Sequence, residues 1–430
     1  MDKLNNFTAL RAADLSAAAE RFATPIYVYD ESLILARCQE CLTMPHAFGL
    51  NVRYAMKANS NRTLLQTITG AGLQIDASSL NEVLRAALAG VPHDKIMLTT
   101  QEAYTPVELD KLQDLLLRGL KYNVCSLRQL RDIAGFAAAH KLELSVRVQP
   151  GIGSGESATR TTGDGYSCFG IHLNDLPEAI AYAADHGLTF RQVHNHIGSG
   201  SDPEIWRQSI DVLLGITERY CPYAETVSFG GGFKVARMPN ETPADLATLG
   251  NYAKARIEDF YNRTGRKLKT EIEPGTYIVA NAGYAVTRVI DKKSTDDFNF
   301  IIVDGGMEIN ARPIMYGSRH PFYIVAGNQV KSSEFGDTPE GYEAIIAGKC
   351  CESSDMQTLT DDGYGYPVKM AEPEVGDLCV IGGVGAYGSS MTPFNYNSHT
   401  QVPEVLLTAG GALQLIRRRQ TLEQVLENEI

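Results

Sequence analysis

The stretch "NVRYAMKANSN", residues 51–61, contains the unit from which the predicted fold is built. Val52, Tyr54 and Met56 alternate with residues of the other face, and this period of two predicts a strand over 51–57. The polar run at 58–61 can cap the helix that follows. Lys57 ends the strand, where a lysine either forms an ordinary ion pair or supplies an amine for chemistry.

The same succession of strand, turn and helix recurs as far as residue 273. Alternating β and α elements predict a parallel sheet, and eight units of this size favour the α/β class with a closed (β/α)8 TIM barrel. A doubly wound open sheet is the alternative, but it usually has a glycine-rich turn after its first strand, where this chain has "KANSN". The predicted strands are 51–57, 73–78, 95–100, 121–125, 142–149, 189–197, 225–229 and 267–273.

Polar residues gather at the carboxyl ends of these predicted strands. Within each pair, the two residues share one face of their strand because they are two positions apart. Barrels place their active sites at this end, so the pattern predicts a catalytic site that includes Lys57. The pairs are Asp76 and Ser78, Arg147 and Gln149, His194 and His196, and Glu271 and Glu273.

After residue 276 the pattern changes to short strands separated by glycine and aspartate turns, which predicts a second, C-terminal antiparallel β domain. The segment "PIYVYDESL" near the start also reads as a strand and is a candidate to join that domain. We therefore expect a barrel domain over 31–276 and a β domain made of 1–30 plus 277–430.

Composition excludes several classes of function. The 430 residues carry a net charge of -12, which argues against a nucleic-acid partner. No run of 18 apolar residues occurs, so no membrane span is expected, and the N-terminus lacks the apolar core of a signal peptide. Eight cysteines in such a chain are expected to be reduced, which favours a cytoplasmic location, and Cys38 and Cys41 fall in a helical stretch and predict no metal site.

Eight short motifs occur in an order that resembles the fold type III pyridoxal-phosphate-dependent decarboxylases. The resemblance runs from about residue 25 to about residue 415. The motifs are "YAMKAN", "HNHIGSG", "SFGGGF", "EIEPGTYIVANAG", "VDGGM", "ARPIMYGSRHP", "CCESSD" and "GAYGSSM".

The resemblance implies pyridoxal 5'-phosphate as cofactor and no metal. Lys57 would be the catalytic lysine that holds the cofactor covalently, and burial at the barrel mouth would favour its neutral, nucleophilic amine. Glu273 would pair with the pyridine nitrogen, and His196 would lie over the ring as a further catalytic residue. The other implied cofactor contacts are Asp76, Ser199, Gly230, Gly231, Gly232, Gly275 and Tyr387.

The resemblance also implies the reaction and the substrate contacts. The implied reaction is the decarboxylation of meso-2,6-diaminopimelate to L-lysine and CO2 in lysine biosynthesis. Cys351 would be the acid that reprotonates the α-carbon, a role that suits thiols because they are mostly protonated near neutral pH. The family builds its sites across a homodimer, with the Cys-Glu segment reaching the other subunit's site. The implied substrate-binding residues are Arg312, Tyr316, Glu352 and Tyr387.

Departures from the family pattern keep other substrates open. Thr276 stands where the family has arginine after "EPG", and Cys168 stands where a lysine is common. The alternatives are a related decarboxylase acting on ornithine, lysine or arginine, or on a tethered acyl substrate. A non-catalytic binding relative is disfavoured, because such proteins typically lose the lysine or the thiol and this chain has both Lys57 and Cys351.

Overall fold

The first described elements are helix α1 (Ala9–Phe22), strand β1 (Ile26–Asp30) and helix α2 (Glu31–Leu42). The structure is a computed structural model, and it describes residues 9–155, 160–200, 202–333, 341–360 and 362–430. By their internal contacts the described residues form two units. The barrel unit comprises Leu35–Lys234 and Thr242–Tyr277, and the β unit comprises the residues up to Ile34 with Val235–Glu241 and Ile278–Ile430.

Eight parallel strands close the barrel predicted from the sequence. They pair in sequence order, and the last strand pairs with the first through Ile272 and Val52, so the sheet has no open edge. The short strand β7 (Ile171–His172) pairs beside β6 outside this ring. The barrel strands are β2 (Leu50–Ala55), β3 (Gln74–Ala77), β4 (Ile96–Thr99), β5 (Lys121–Val124), β6 (Leu144–Gln149), β8 (Phe190–His194), β9 (Thr226–Ser228) and β10 (Lys269–Ile272).

Helices follow the barrel strands, and several start at a polar cap in the preceding turn. The Asn61 side chain accepts from the backbone N–H of Thr63, as the sequence predicted for the run after Lys57. Ser79 and Ser126 cap the helices that begin at Leu80 and Leu127 in the same way, and each such cap is worth about 1 kcal/mol. The helices are α3 (Arg62–Gly70), α4 (Leu80–Leu88), α5 (Pro106–Leu117), α6 (Leu127–Ala139), α7 (Leu176–Asp185), α8 (Pro203–Tyr220) and α9 (Leu246–Thr264).

The interior of the barrel holds a buried polar cluster that we call the barrel floor, made of the ion pair of Arg53 and Glu271 together with Gln192. Arg53 Nε donates to Glu271 Oε2 at 2.8 Å, and Gln192 Nε2 donates to Glu271 Oε1 at 2.7 Å. These residues come from β2, β10 and β8, and β9 separates β8 from β10, so the three side chains meet inside the ring. The side chains of Arg53 and Glu271 are 1% and 0% exposed.

The β unit contains the predicted second sheet. Most of its pairs are antiparallel, but β1 pairs parallel with β18 and β12 pairs parallel with β15. Strand β1 lies between β11 and β18, so the early segment "PIYVYDESL" does belong to this sheet. The remaining elements are α10 (Thr276–Val279), β11 (Gly283–Ser294), β12 (Asn299–Val303), α11 (Arg312–Tyr316), β13 (Phe322–Ala326), β14 (Gln329–Ser333), β15 (Tyr342–Ala347), β16 (Val368–Met370), β17 (Leu378–Ile381), β18 (Glu404–Leu407), β19 (Leu413–Arg417) and α12 (Leu422–Val425).

One segment departs from the domain boundaries predicted from the sequence. Val235–Glu241 falls inside the predicted 31–276 barrel but groups with the β unit. The reason is local, since Arg237 Nε donates to Gly383 O at 3.0 Å and Asn281 Nδ2 donates to Ala236 O at 3.0 Å. The core of the β unit includes Ile26 and Val286, packed with apolar residues of α1.

Two expectations from composition concern the cysteines and membrane-spanning helices. All eight cysteines are free thiols. Among the helices of the described residues, none combines the length and the apolar character needed to cross a membrane.

Candidate active site

Lys57 lies on a 3₁₀ turn, Met56–Ala58, that follows strand β2. Met56 and Ala58 are buried, but Lys57 between them is exposed. The predicted burial of Lys57 is therefore wrong for this structure, because the strand ends at Ala55 and a turn follows, although the charge of Lys57 still acts on Asp76 and His196.

Gly275 positions the turn that carries Lys57. The backbone N–H of Ala55 donates to Pro274 O at 3.1 Å, so the "EPG" segment lies directly against the end of β2. A Cβ atom on Gly275 would lie 3.1 Å from Ala55 O and 3.2 Å from the Cβ of Ala58. A glycine at this position lets the two backbones approach each other closely.

Glu273 is a buried carboxylate with donors on both oxygens. His194 Nε2 lies 2.9 Å from its Oε2, and Ser228 Oγ donates to its Oε1 at 2.8 Å. Burial alone would raise its pKa, but the charge and hydrogen bond of His194, together with the hydrogen bond from Ser228, outweigh this effect and lower the pKa to about 2. The side chain is therefore a carboxylate at neutral pH.

Asp76 is a second carboxyl group in the barrel interior, and its environment acts in the opposite direction. Its burial, with the nearby charge of Glu273, raises its pKa well above the usual range, and the charge of Lys57 opposes this shift. Its Oδ1 is buried and has no hydrogen-bond partner among the described residues. Two carboxyl groups whose pKa values are driven apart are typical of sites that separate acidic and basic roles.

His196 and the glycine run after β9 form one side of the site. The backbone N–H of Gly231 donates to His196 Nδ1 at 3.2 Å. Desolvation and the charges of Lys57 and Arg147 lower the pKa of His196 well below its usual value, so its imidazole is neutral. It is half-buried.

The glycines of this run are required by the space around them. Gly230 has φ +65°, and a Cβ there would lie 2.6 Å from Asn195 O. A Cβ on Gly231 would collide with the carbonyl oxygen of Glu273, and Gly232 has φ +89°. Ser199 lies on the neighbouring turn, where its backbone N–H donates to Arg160 O at 3.1 Å. A glycine turn of this kind allows the close approach of an anion such as a phosphate.

Arg147 is a residue of this site that the sequence placed among the polar residues at the strand ends but to which it gave no role. Arg147 is only 7% exposed, and its guanidinium carbon lies 5.0 Å from the centre of the Phe169 ring. The described residues give this guanidinium no hydrogen-bond or ion-pair partner, so it can receive an anionic group of a ligand. Its shared strand face with Gln149 was the available signal.

In the β unit, three of the predicted substrate residues come together. The guanidinium of Arg312 lies 5.7 Å from the ring centre of Tyr316 and 5.9 Å from that of Tyr387. Arg312 is 3% exposed, and its Nη2 donates to Ser318 Oγ at 3.3 Å. Tyr387 has φ +56°, a conformation that is rare for a bulky residue and that often marks a functional position.

Cys351 and Glu352 form a separate group on an exposed loop, while the neighbouring Cys350 is buried. The backbone N–H of Cys351 donates to Asn397 Oδ1 at 2.8 Å, and Tyr396 Oη donates to Glu352 Oε2 at 3.2 Å. The backbone N–H and hydroxyl of Ser354 and the hydroxyl of Tyr396 hold the pKa of Glu352 below its usual value.

The barrel residues suit pyridoxal phosphate on chemical grounds. The unit offers an anionic carboxylate for the pyridine nitrogen in Glu273, a neutral imidazole in His196, an accessible amine in Lys57 and a turn in which only glycine fits. Asp76 adds a buried oxygen that lacks a donor.

Comparison with known proteins gives a consistent result. Residues 34–280 match the family model described as pyridoxal-dependent decarboxylase, pyridoxal binding domain. The diaminopimelate decarboxylase of Escherichia coli K12 is 33% identical over 426 residues, which is 98% of each chain.

Solved structures agree with the sequence comparison. A crystal structure of a diaminopimelate decarboxylase superposes with a TM-score of 0.87 at 32% identity, covering 98% of this chain and 97% of that one. The diaminopimelate decarboxylase of M. jannaschii in complex with L-lysine gives a TM-score of 0.82 at 26% identity, covering 96% and 94%. The chain therefore belongs to the diaminopimelate decarboxylase family of pyridoxal-dependent decarboxylases.

Proposed function

We propose that this chain decarboxylates meso-2,6-diaminopimelate to L-lysine and CO2, with pyridoxal 5'-phosphate as cofactor, as a step of lysine biosynthesis. The observation that carries the proposal is the extent of the match to the Escherichia coli enzyme, which covers 98% of both chains. That match includes the β unit with Arg312, Cys351 and Glu352, and does not stop at the cofactor-binding barrel.

In the barrel unit, we assign each predicted residue one task. When bound, the cofactor would supply an electron sink for the pair that the departing carboxylate leaves on the α-carbon. Lys57 holds the cofactor, and its exposed amine is accessible for this attachment. Glu273 holds a proton on the pyridine nitrogen, which its low pKa supports, and His196 presents a neutral ring. Ser199 and Gly230–Gly232 receive the phosphate, and Gly275 acts sterically.

In the β unit, we assign substrate recognition and proton return. Arg312 and Tyr316 bind the distal carboxylate, since a guanidinium fork matches carboxylate geometry. Glu352 binds the distal ammonium, which its low pKa supports because the side chain is then anionic. Cys351 gives its proton to the α-carbon after CO2 has left, and Tyr387 takes the cofactor and substrate contacts that the resemblance implies.

We further propose that the active form is a homodimer in which Cys351 and Glu352 serve the partner's site. Both residues are exposed on their loop, which supports a role outside their own packed core. Mixing a Lys57→Ala chain with a Cys351→Ala chain tests this arrangement. Random exchange gives heterodimers with one intact site, hence about a quarter of wild-type activity. Activity no higher than that of either parent after verified exchange would contradict shared sites. The cytoplasmic location stays a prediction.

A substrate panel tests the reaction itself. CO2 release is measured from meso-diaminopimelate, ornithine, lysine and arginine with the purified chain and added pyridoxal phosphate. We expect release from meso-diaminopimelate alone. Arg312→Lys keeps the charge but loses the planar fork, so KM for meso-diaminopimelate should rise by about 10-fold or more. Absence of release from meso-diaminopimelate would end the substrate assignment.

One observation favours a second candidate, a related decarboxylase with another amino acid substrate. Thr276, the first residue of α10, stands where the family pattern has a cation. A site without this cation matches a different arrangement of substrate charges. The same panel separates the two candidates, because ornithine and lysine lack the distal carboxylate. We expect Thr276→Arg to preserve meso-diaminopimelate turnover. A gain of more than about 100-fold in that turnover would favour the second candidate.

A further inference from the structure

The segment Asn395–Ser398, which we call the support loop, binds two consecutive residues of the loop that carries Cys351. Asn397 Oδ1 accepts from the backbone N–H of Cys351 at 2.8 Å. Tyr396 Oη donates to Glu352 Oε2 at 3.2 Å. Consecutive residues of one loop therefore hold consecutive residues of the other, one through its backbone and one through its carboxylate.

The backbone of the support loop has an unusual conformation. Asn395, Asn397 and Ser398 have φ values of +63°, +50° and +58°, in the left-handed region. A residue other than glycine is strained there, although asparagine tolerates the region better than most. Such a conformation persists only where the surroundings specify it.

The support loop is fixed from its other side by Gln420. Asn395 Nδ2 donates to Gln420 Oε1 at 2.7 Å and to His399 O at 3.0 Å. The same Gln420 oxygen accepts from the backbone N–H of Gln401 at 3.0 Å. These hydrogen bonds therefore order the support loop independently of its contact with Cys351 and Glu352.

These contacts decide how the thiol and the carboxylate are held. Cys351 and Asn397 are both exposed, so water competes for each hydrogen bond, and the contact adds little to folding stability. Proton transfer instead requires the donor within hydrogen-bond reach of the accepting atom, and a misplacement of 1 Å can cost about 100-fold in rate.

We propose that Tyr396 and Asn397 are positioning residues that orient Glu352 and Cys351 for substrate binding and for proton return. The inference rests on the proposed function of Cys351 and Glu352. Asn397 acts on the thiol through the Cys351 backbone, and Tyr396 acts on the carboxylate through one oxygen, while Ser353 and Ser354 hold the other.

Three substitutions at residue 397 separate the hydrogen bond from the backbone conformation. Asn397→Gly tolerates the left-handed conformation but lacks the hydrogen-bond acceptor. Asn397→Asp keeps both the tolerance and the acceptor, and Asn397→Ala loses both. In the enzyme loaded with pyridoxal phosphate, Asn397→Gly should lower kcat by about 10- to 100-fold with KM nearly unchanged, and Asn397→Asp should restore most of the rate. Tyr396→Phe should raise KM for meso-diaminopimelate with kcat nearly unchanged.

A second measurement does not depend on turnover. The full chain is alkylated with iodoacetamide, with and without added pyridoxal phosphate, and modification of each cysteine is followed by mass spectrometry. Cys168 is also exposed and serves as the internal reference. Asn397→Gly should change the alkylation rate at Cys351 several-fold and leave the rate at Cys168 unchanged, and Asn397→Asp should behave as the wild-type chain does.

The possible outcomes each decide the proposal. Wild-type kcat together with a wild-type alkylation rate at Cys351 in Asn397→Gly would overturn it. Equal loss in Asn397→Gly and Asn397→Asp, accompanied by a lower melting temperature in both, would also overturn it in favour of a folding role. If the wild-type chain released CO2 from no amino acid, the proposed function would fail, and the alkylation series would still decide whether Asn397 positions Cys351.

Discussion

The two groups of candidate residues are built on opposite principles. In the barrel unit, His194, Asp76 and Glu273 are 1%, 4% and 7% exposed, and neighbouring strands hold their atoms in place. In the β unit, Cys351 and Glu352 are exposed and are held by loops. The positions of the barrel residues follow from the register of their strands. The positions of Cys351 and Glu352 depend instead on hydrogen bonds to side chains of a neighbouring loop at the surface.

This difference has an electrostatic consequence. Charges interact more strongly in the interior than in water, which is why two carboxyl groups in one barrel have pKa values shifted in opposite directions. Water screens the exposed group, so its control must come from hydrogen-bond geometry. Substitutions of buried barrel residues should therefore change charge and stability, whether or not they change the rate, and those in the loops should change mainly the rate.

The largest effect should come from the barrel side of this comparison. Lys57→Ala removes the amine that holds the cofactor, so turnover should fall by more than about 1000-fold and the visible absorption of bound cofactor should change. Lys269→Ala, which removes another exposed lysine of the same unit, should leave both unchanged. An unaltered cofactor spectrum in Lys57→Ala would refute the assignment.

On the loop side, Cys351→Ala removes the proposed proton donor. Turnover should fall by about 100- to 10,000-fold while cofactor binding, followed by absorption, stays at the wild-type level. Cys168→Ala removes the other exposed thiol and should have no effect on turnover. Wild-type turnover in Cys351→Ala would remove its role as the acid.

The barrel floor tests the difference between buried and exposed groups through the free energy of unfolding alone. Arg53→Leu leaves the fully buried Glu271 without its cation and should cost about 3–5 kcal/mol, measured by urea unfolding. Arg118→Leu breaks an exposed pair with Asp114 and should cost less than about 1 kcal/mol. Equal losses in the two variants would contradict the distinction between interior and surface.

The smallest effect concerns Asp76 and depends on pH. Its pKa is raised in the folded chain, so its ionisation disfavours folding, and that penalty grows as pH rises through the raised pKa. Asp76→Asn should therefore raise the melting temperature of the cofactor-free chain by about 2–4 °C near pH 8, and the gain should vanish toward pH 4. Asp110→Asn is an exposed control, and a gain independent of pH would contradict the assignment.

The sequence predicted the architecture well because its signals were local and repeated. Eight strands with alternating faces and capped helices led directly to the closed barrel, which the pairing of Ile272 with Val52 completes. The strand at 26–30 could also be assigned to the second sheet, since its β-branched and aromatic residues precede the barrel repeat.

The site was harder to predict, because burial at a strand end depends on where the strand stops. The alternation that included Met56 and Lys57 continued past Ala55, where the backbone changes to a 3₁₀ turn. Contacts between residues far apart in sequence were also invisible, such as His194 with Glu273 and Asn397 with Cys351. Neither pair leaves a periodic trace in the sequence.

The spacing of Glu271 and Glu273 fixes how this barrel can change in length. Because side chains alternate along a strand, both carboxylates point inward while Ile272 points toward the surrounding helices. Removing one residue of the strand before Glu271 would turn the two carboxylates outward and place Ile272 among the polar groups of the interior. Insertions and deletions are therefore tolerable only in the turns, and anyone who grafts a new loop onto this scaffold must preserve the residue count from Lys269 to Glu273.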